Sequence, residues 1–262
     1  MTGNAPSLRG SGCLRMTREN EPLIEPVDMI FFGAHPDDIE LSCGGTIARA
    51  VKDGLRVGII ELTRGELGTR GTPKIRRREA LKAARILGVR FREQLDFGDG
   101  AMRTGREEEL QIITIVRRCQ PKVVFSMWPD DRHPDHIRTG RLVTEASFYS
   151  GLRQFKTTLP AHRPQVTIYY PQNYLVTPSF VIDVTKTWKT KMRAIAAFKS
   201  QFYNPKSKEP PTFIADKKFL AMIEARGRHF GALIGVEYGE AFMTKQPPKI
   251  DDVIAAYSGR EP

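Results

Sequence analysis

The sequence predicts an α/β fold of the Rossmann-like, doubly wound kind: a mostly parallel sheet with an elaborated C-terminal portion. Three observations carry this. Apolar runs of strand length alternate with helix-length amphipathic segments through the first half of the chain. Glycines stand where those helices should stop. Two turns rich in histidine and aspartate follow strand candidates that lie far apart in sequence.

Residues 27–33 (VDMIFFG) form a continuous apolar run ended by glycine, the pattern of a strand buried on both faces. Residues 39–53 have helical spacing and stop at Gly54. A second strand over 56–62 (RVGIIEL) leads into the glycine-rich loop TRGELGTRGT. The segment 74–87 (KIRRREALKAARIL) is the next helix, closed by Gly88. A strand near 91–97, a helix over 107–119 and a strand over 122–127 complete the alternation. That rhythm is the signature of βαβ units, whose crossovers are right-handed.

The second half is less regular. Strands are expected over 165–175 and 180–184 and helices over 188–202 and 215–233, with the proline-rich loop NPKSKEPP between the helices. No internal repeat is evident. The economical division is a flexible N-terminal extension over 1–26, one domain over 27–250 and a polar tail over 251–262. The extension lacks the apolar core of about 7–15 residues that a secretory signal needs, and Met16 offers an alternative start.

Composition narrows the function classes. With 40% hydrophobic residues the chain can build a sizeable core. Its apolar runs are strand-sized, far below the roughly 18 residues of a membrane span, so no membrane association is expected. Cys13, Cys43 and Cys119 are odd in number and show no CxxC spacing, which supports neither a disulfide framework nor a thiolate zinc site; a reducing cytoplasm is the expected location. The net charge of +11 is compatible with nucleic acid, an anionic surface or an acidic small substrate. Its densest cluster, 74–78, opens a helix and reads as a solvated face. A basic nucleic-acid-binding α/β protein is the competing class, though no binding motif accompanies the charge, so no nucleic-acid partner is expected.

The turn after the first strand reads GAHPDD, and no G-x-G-x-x-G occurs in the chain, so phosphate cradling is disfavoured. Pro36 biases His35 toward an extended conformation, and Asp37 and Asp38 then open the following helix, where either could cap it. For this segment alone a structural reading serves as well as a functional one. The second segment changes that balance. Positions 133–136 read HPDH directly after the strand candidate PKVVFSMW, so three of the five histidines sit at strand exits. In the usual strand order 3-2-1-4-5, strands one and four are neighbours at the topological switch point, where such folds bind ligands. Imidazoles and carboxylates without sulfur, with positions left open, suit a catalytic Zn²⁺, and Fe²⁺ can use the same ligand types.

GAHPDDIE with CGGTIA, and DRHPDH, resemble the signature segments of the PIG-L/LmbE-type metal-dependent N-acetylglucosamine deacetylases. ELTRGELGTRGT with RRREALKAARILGV, LPAHRP, SQF and FGALIGVEYGEAF resemble the branch that deacetylates N-acetylglucosaminyl-malate in bacillithiol synthesis. The resemblance runs from about 27 to 248. It implies that His35, Asp38 and His136 bind the metal, that Asp37 is the general base, and that a protonated His133 supports the oxyanion with Asp135 orienting it. It also implies an anionic amino-sugar conjugate as substrate, with another acetylated amino sugar such as chitobiose or a mycothiol-type precursor as the alternative, and a homo-oligomer, with hexamers among the assemblies of such proteins. In some of them a tyrosine precedes the HPDH segment, where this chain has Asp131 and Arg132.

Arg64, Arg70 and Arg132 flank predicted strand exits, and guanidinium groups pair well with carboxylates, so Arg64 and Arg132 are the candidates for a malate aglycone. A solvated loop arginine is the competing reading for each. Gly44 and Gly45 interrupt a helix and call for close packing. Cys43 reads as a small buried hydrophobe, His162 and His229 as structural or surface residues, and Tyr169, Tyr170 and Tyr174 as strand-pair packing.

Overall fold

Strands buried on both faces need no apolar–polar alternation, and the central strands of this chain are of that kind. In the computed structural model, which describes residues 26–257, β1 (Met29–Gly33), β2 (Val57–Glu61) and β4 (Val123–Met127) are buried almost throughout. With β3 (Phe91–Gln94) and β5 (Val166–Tyr170) they make the parallel part of one sheet, in the order β3-β2-β1-β4-β5. Two antiparallel strands extend it: β7 (Gly239–Thr244) beside β5, and β6 (Phe180–Asp183) beyond β7. The expected strand order is present, and β7 is an element that the sequence patterning does not announce. The N-terminal extension, Cys13 and the last residues of the tail lie outside the described residues.

Right-handed crossovers place the helices. From β1 the chain steps to β2 and β3 on one side, and from β4 it steps to β5 on the other, so the connecting helices fall on opposite faces. α1 (Asp38–Lys52) and α2 (Pro73–Leu87) pack with α5 (Trp188–Ile195), whereas α3 (Arg106–Cys119) packs with α4 (Pro134–Ser150). α6 (Lys217–Ala232) lies against β7, and a short α7 (Val253–Tyr257) falls in the tail. The core centres on β1 and β4, where Phe31 and Phe125 are register partners with rings stacked at 4.2 Å.

Local chemistry accounts for most boundaries. Thr72 caps α2 by accepting from the Ile75 amide at 3.3 Å, Pro73 takes the first helical position, and Gly88 ends the helix with φ 77°. β5 stops at Tyr170 instead of running to 175, because Pro171 cannot donate to a ladder. The helix expected over 188–202 ends at Ile195, and the chain continues in turns that bury Phe198 and Phe202. α4 is hidden in the sequence by Thr139 and Gly140, both weak helix formers. Gly140 is required there because a Cβ would lie 2.5 Å from the Met127 carbonyl oxygen, where the helix crosses the end of β4.

Gly44 and Gly45 do mark close packing. A Cβ on Gly44 would meet Lys191 at 3.0 Å, and one on Gly45 would meet Val184 at 2.7 Å. Cys43 and Cys119 are buried free thiols. Among the described residues no helix is long and apolar enough to cross a membrane.

Candidate active site

GAHPDD leaves β1 and DRHPDH leaves β4, and because these strands are neighbours the two turns meet. They share a cavity of about 500 Å³ with the loops after β2 and β3, the turn after β5 and the start of α6. Asp37 enters α1 with φ 107°, a left-handed conformation that costs a non-glycine residue energy. Its carboxylate makes no capping bond, so the reading of Asp37 as a helix cap falls. Instead it lies 3.4 Å from Arg76 Nη2. Asp38, the first residue of α1, turns Oδ2 back to accept from the His35 amide at 2.8 Å.

Asp38 stands between two imidazoles. Its Oδ2 is 3.3 Å from His35 Nδ1, and its Oδ1 is 3.4 Å from His136 Nε2. All three residues are buried, and each offers a ligand atom within 4.8 Å of the others. A second group, His35, His133 and Asp135, also converges. The first fits a divalent cation better. In the second, His133 Nδ1 already accepts the Asp135 amide at 3.2 Å, and the Asp135 carboxylate accepts from the Gly100 amide at 2.7 Å and from Arg138 at 2.8 Å.

Outer partners orient the candidate ligands. His136 Nδ1 donates to Asp131 Oδ1 at 2.9 Å, which leaves Nε2 facing Asp38. Asp131 also accepts from the His133 amide and from both the amide and the side chain of Asn173. Gln172 Nε2 donates to Asp38 Oδ1 at 3.2 Å. On the far side, His35 Nε2 lies 3.1 Å from Asp99 Oδ1 and 3.5 Å from Asp135 Oδ2. Neither approach is aligned as a hydrogen bond, so these contacts are electrostatic.

The carboxyls respond differently to burial. Burial by itself would raise Asp38, but His136 and His35 outweigh it and hold the group well below the usual carboxylate range. For Asp37 burial dominates and pushes it up to about 7, with the neighbouring Asp38 adding to the rise and Arg76 and His35 opposing it. His133 is pushed down by burial and then by His35 and His136. The Asp135 amide acts the same way, because a nitrogen that accepts cannot carry a proton. The structure thus favours a neutral His133 bearing its proton on Nε2, where sequence reasoning expects a protonated ring. The contact from Asp135 to His133 is made by its main-chain N–H, whereas its carboxylate is taken up by Gly100 and Arg138.

Of the arginines, Arg64 is misplaced by the sequence reading. It pairs with Asp96 at 2.9 Å, is half exposed, and lines a separate cavity with Lys74 and Arg77. The next residue, Gly65, turns the loop at φ 66° so close to Arg76 that a Cβ would sit 2.0 Å from its Nη1. Arg70 is buried in the site wall, donating to Ser207 Oγ at 2.7 Å. Arg132 stands exposed at the mouth, 5.3 Å over the Phe213 ring.

Sequence reasoning misses Arg76, Asp99, Gln172, Asn173 and Arg226, all of which line the cavity, and the role of Asp131 beside it. Arg76 has a legible signal. It shares the helix face of Ala80, Ala83 and Leu87, all buried, so one cation of the 74–78 cluster lies on an apolar stripe while Lys74, Arg77 and Arg78 are exposed. The others arrive on loops or, for Arg226, on α6, and have none. Tyr169 and Tyr170 are buried in β5, His162 bonds the Pro121 carbonyl at 2.8 Å, and His229 is exposed on α6, in keeping with their structural reading.

The family model described as PIG-L, GlcNAc-PI de-N-acetylase, matches residues 30–147. A diacetylchitobiose deacetylase of Thermococcus kodakarensis is 33% identical over 70% of this chain and 73% of its own length. A 4-oxalmesaconate hydratase of Pseudomonas putida is 28% identical over 64% of this chain and 71% of its own. In structure, a conserved protein of Thermus thermophilus superposes with a TM-score of 0.79 at 37% identity, covering 86% of this chain and 97% of that one.

Proposed function

The chain belongs to the PIG-L de-N-acetylase family, and on that premise we propose that it hydrolyses the N-acetyl group of an N-acetylglucosaminyl conjugate, using a bound Zn²⁺. The observation that carries the proposal is the convergence of His35, Asp38 and His136 beside an elevated Asp37 that is not one of the three. Fe²⁺ would accept the same donors.

In this reading His35, Asp38 and His136 would hold the cation, which when bound would supply Lewis acidity toward water and the acetamide oxygen. Asp37 takes the proton of the attacking water; a carboxyl titrating near 7 suits a base working at neutral pH. Arg76 holds that carboxylate at the cavity wall. His133, with Nδ1 fixed by the Asp135 amide, presents Nε2–H to the oxygen on which negative charge develops. Since His133 keeps its proton for that bond, the protonated Asp37 hands its own to the leaving amine.

The narrower expectation of a malate aglycone now rests on Arg132, since Arg64 lies outside the cavity. The test is metal analysis of purified protein together with a free-amine assay on N-acetylglucosamine, N,N'-diacetylchitobiose and N-acetylglucosaminyl-malate. Amine release that stops on chelation and returns with Zn²⁺ is expected. No amine from any of them by metal-loaded protein would end the deacetylase reading and turn attention to hydration of a double bond, the chemistry named for the Pseudomonas putida relative.

A further inference from the structure

Three of the four arginines lining the cavity are already engaged. Arg70 pairs with Ser207 and lies 3.5 Å from Glu209. Arg76 donates to the carbonyl oxygens of Gly65 and Pro36, at 3.0 and 2.8 Å, and faces Asp37. Arg226 donates to the carbonyl oxygens of Leu41 and Gln172. Only Arg132 is left for a ligand, and Asp99 adds negative charge to the same wall. A dicarboxylate aglycone would need a second cation, and among the described residues the cavity has none to offer.

The mouth offers apolar surface instead. Phe213, in the 3-10 turn before α6, is 61% exposed, and Leu67 across the cavity is 70% exposed. Phe213 is not loose. Its edge meets buried Phe219 at 5.6 Å, and Phe219 stacks on Phe202 at 5.9 Å, so an aromatic column rooted in the core ends in an open ring. The Arg132 guanidinium lies over that ring, 5.3 Å from its centroid, with donors to spare, and Phe213 keeps its exposure despite that contact. A pre-positioned aromatic face next to hydrogen-bond donors matches a pyranose, which has an apolar C–H face and a hydroxyl rim.

We infer that the aglycone subsite is the Phe213 ring with Arg132 and Leu67, and that it takes a neutral sugar ring glycosidically linked to the glucosamine unit whose acetyl group is removed. This deepens the deacetylase reading and rests on it. The test compares Phe213→Ala with the parent and with Phe213→Trp. On N,N'-diacetylchitobiose the alanine variant should lose at least about ten-fold in kcat/KM, with the loss mostly in KM, while N-acetylglucosamine changes less than about two-fold. Phe213→Trp should restore the disaccharide. Equal losses on both substrates, or a change in oligomeric mass with the substrate ratio unaltered, would overturn the assignment. Calorimetric binding of chitobiose, which carries no acetyl group, reads the subsite without turnover. Unchanged affinity in Phe213→Ala overturns the subsite, whereas weakened affinity in a protein that releases no amine overturns only the deacetylase reading.

Discussion

His136 donates through Nδ1 to Asp131 at 2.9 Å while its Nε2 faces Asp38 at 3.4 Å. One carboxylate thereby sets the tautomer of a candidate metal ligand. Asp131→Asn should leave the fold intact and weaken metal affinity by about 10–100-fold, measured by chelator competition. Unchanged affinity would mean that the His136 ring is oriented by packing alone.

The ligand and base assignments separate by metal content. His136→Ala should strip bound metal, whereas Asp37→Asn should keep it and lose turnover on the order of 10²-fold or more. A His136→Ala protein with parental metal content, or a fully active Asp37→Asn protein, would reverse the respective role.

Asp37 also sets a pH expectation. It works ionised, so kcat/KM should fall as pH drops through about 7, where burial has placed its titration. Arg76 opposes that elevation. Arg76→Gln should therefore move the acidic limb to higher pH, and a limb that stays put or moves down would dissociate it from Asp37.

Arg64 provides a control. Paired with Asp96 outside the cavity, it should tolerate replacement by alanine with kcat/KM within about two-fold on every substrate of the panel. A selective loss on a malate conjugate would restore it to the site.

A structural prediction concerns Arg92, buried between Glu40 and Glu61. Arg92→Leu leaves two carboxylates without their counter-charge and should cost about 3–5 kcal/mol in denaturant unfolding. Burial already raises the Glu61 carboxyl against the pull of Arg92, so without that cation the penalty applies above the unfolded pKa and should shrink in acid. A penalty independent of pH would place the loss in packing instead of charge.

How legible the site is depends on where each residue sits. His35, Asp38, His133 and His136 belong to short motifs beside strong strand signals, so their types and order are visible in one dimension. Arg76 is half visible, as a charge on an apolar helical stripe. Asp99, Asp131, Gln172, Asn173 and Arg226 come from loops and a distant helix, where neither periodicity nor spacing distinguishes a partner of the site from a solvated residue. The same holds for β7, whose place between β5 and β6 is set by long-range pairing.

By itself the sequence determined the alternation of strands and helices, the parallel sheet and the two turns that carry the histidines, because strand and helix periods and helix stops are properties of neighbouring residues. Only the tertiary structure decided which nitrogen of His133 and of His136 is free, which arginines are already bound to carbonyls and carboxylates, and that Arg64 faces away. Those outcomes depend on differences of a few ångströms between segments far apart in the chain. Such distances follow from strand order, the left-handed turn at Gly65 and the packing of α6, and hydrogen bonds and ion pairs are decided at that range.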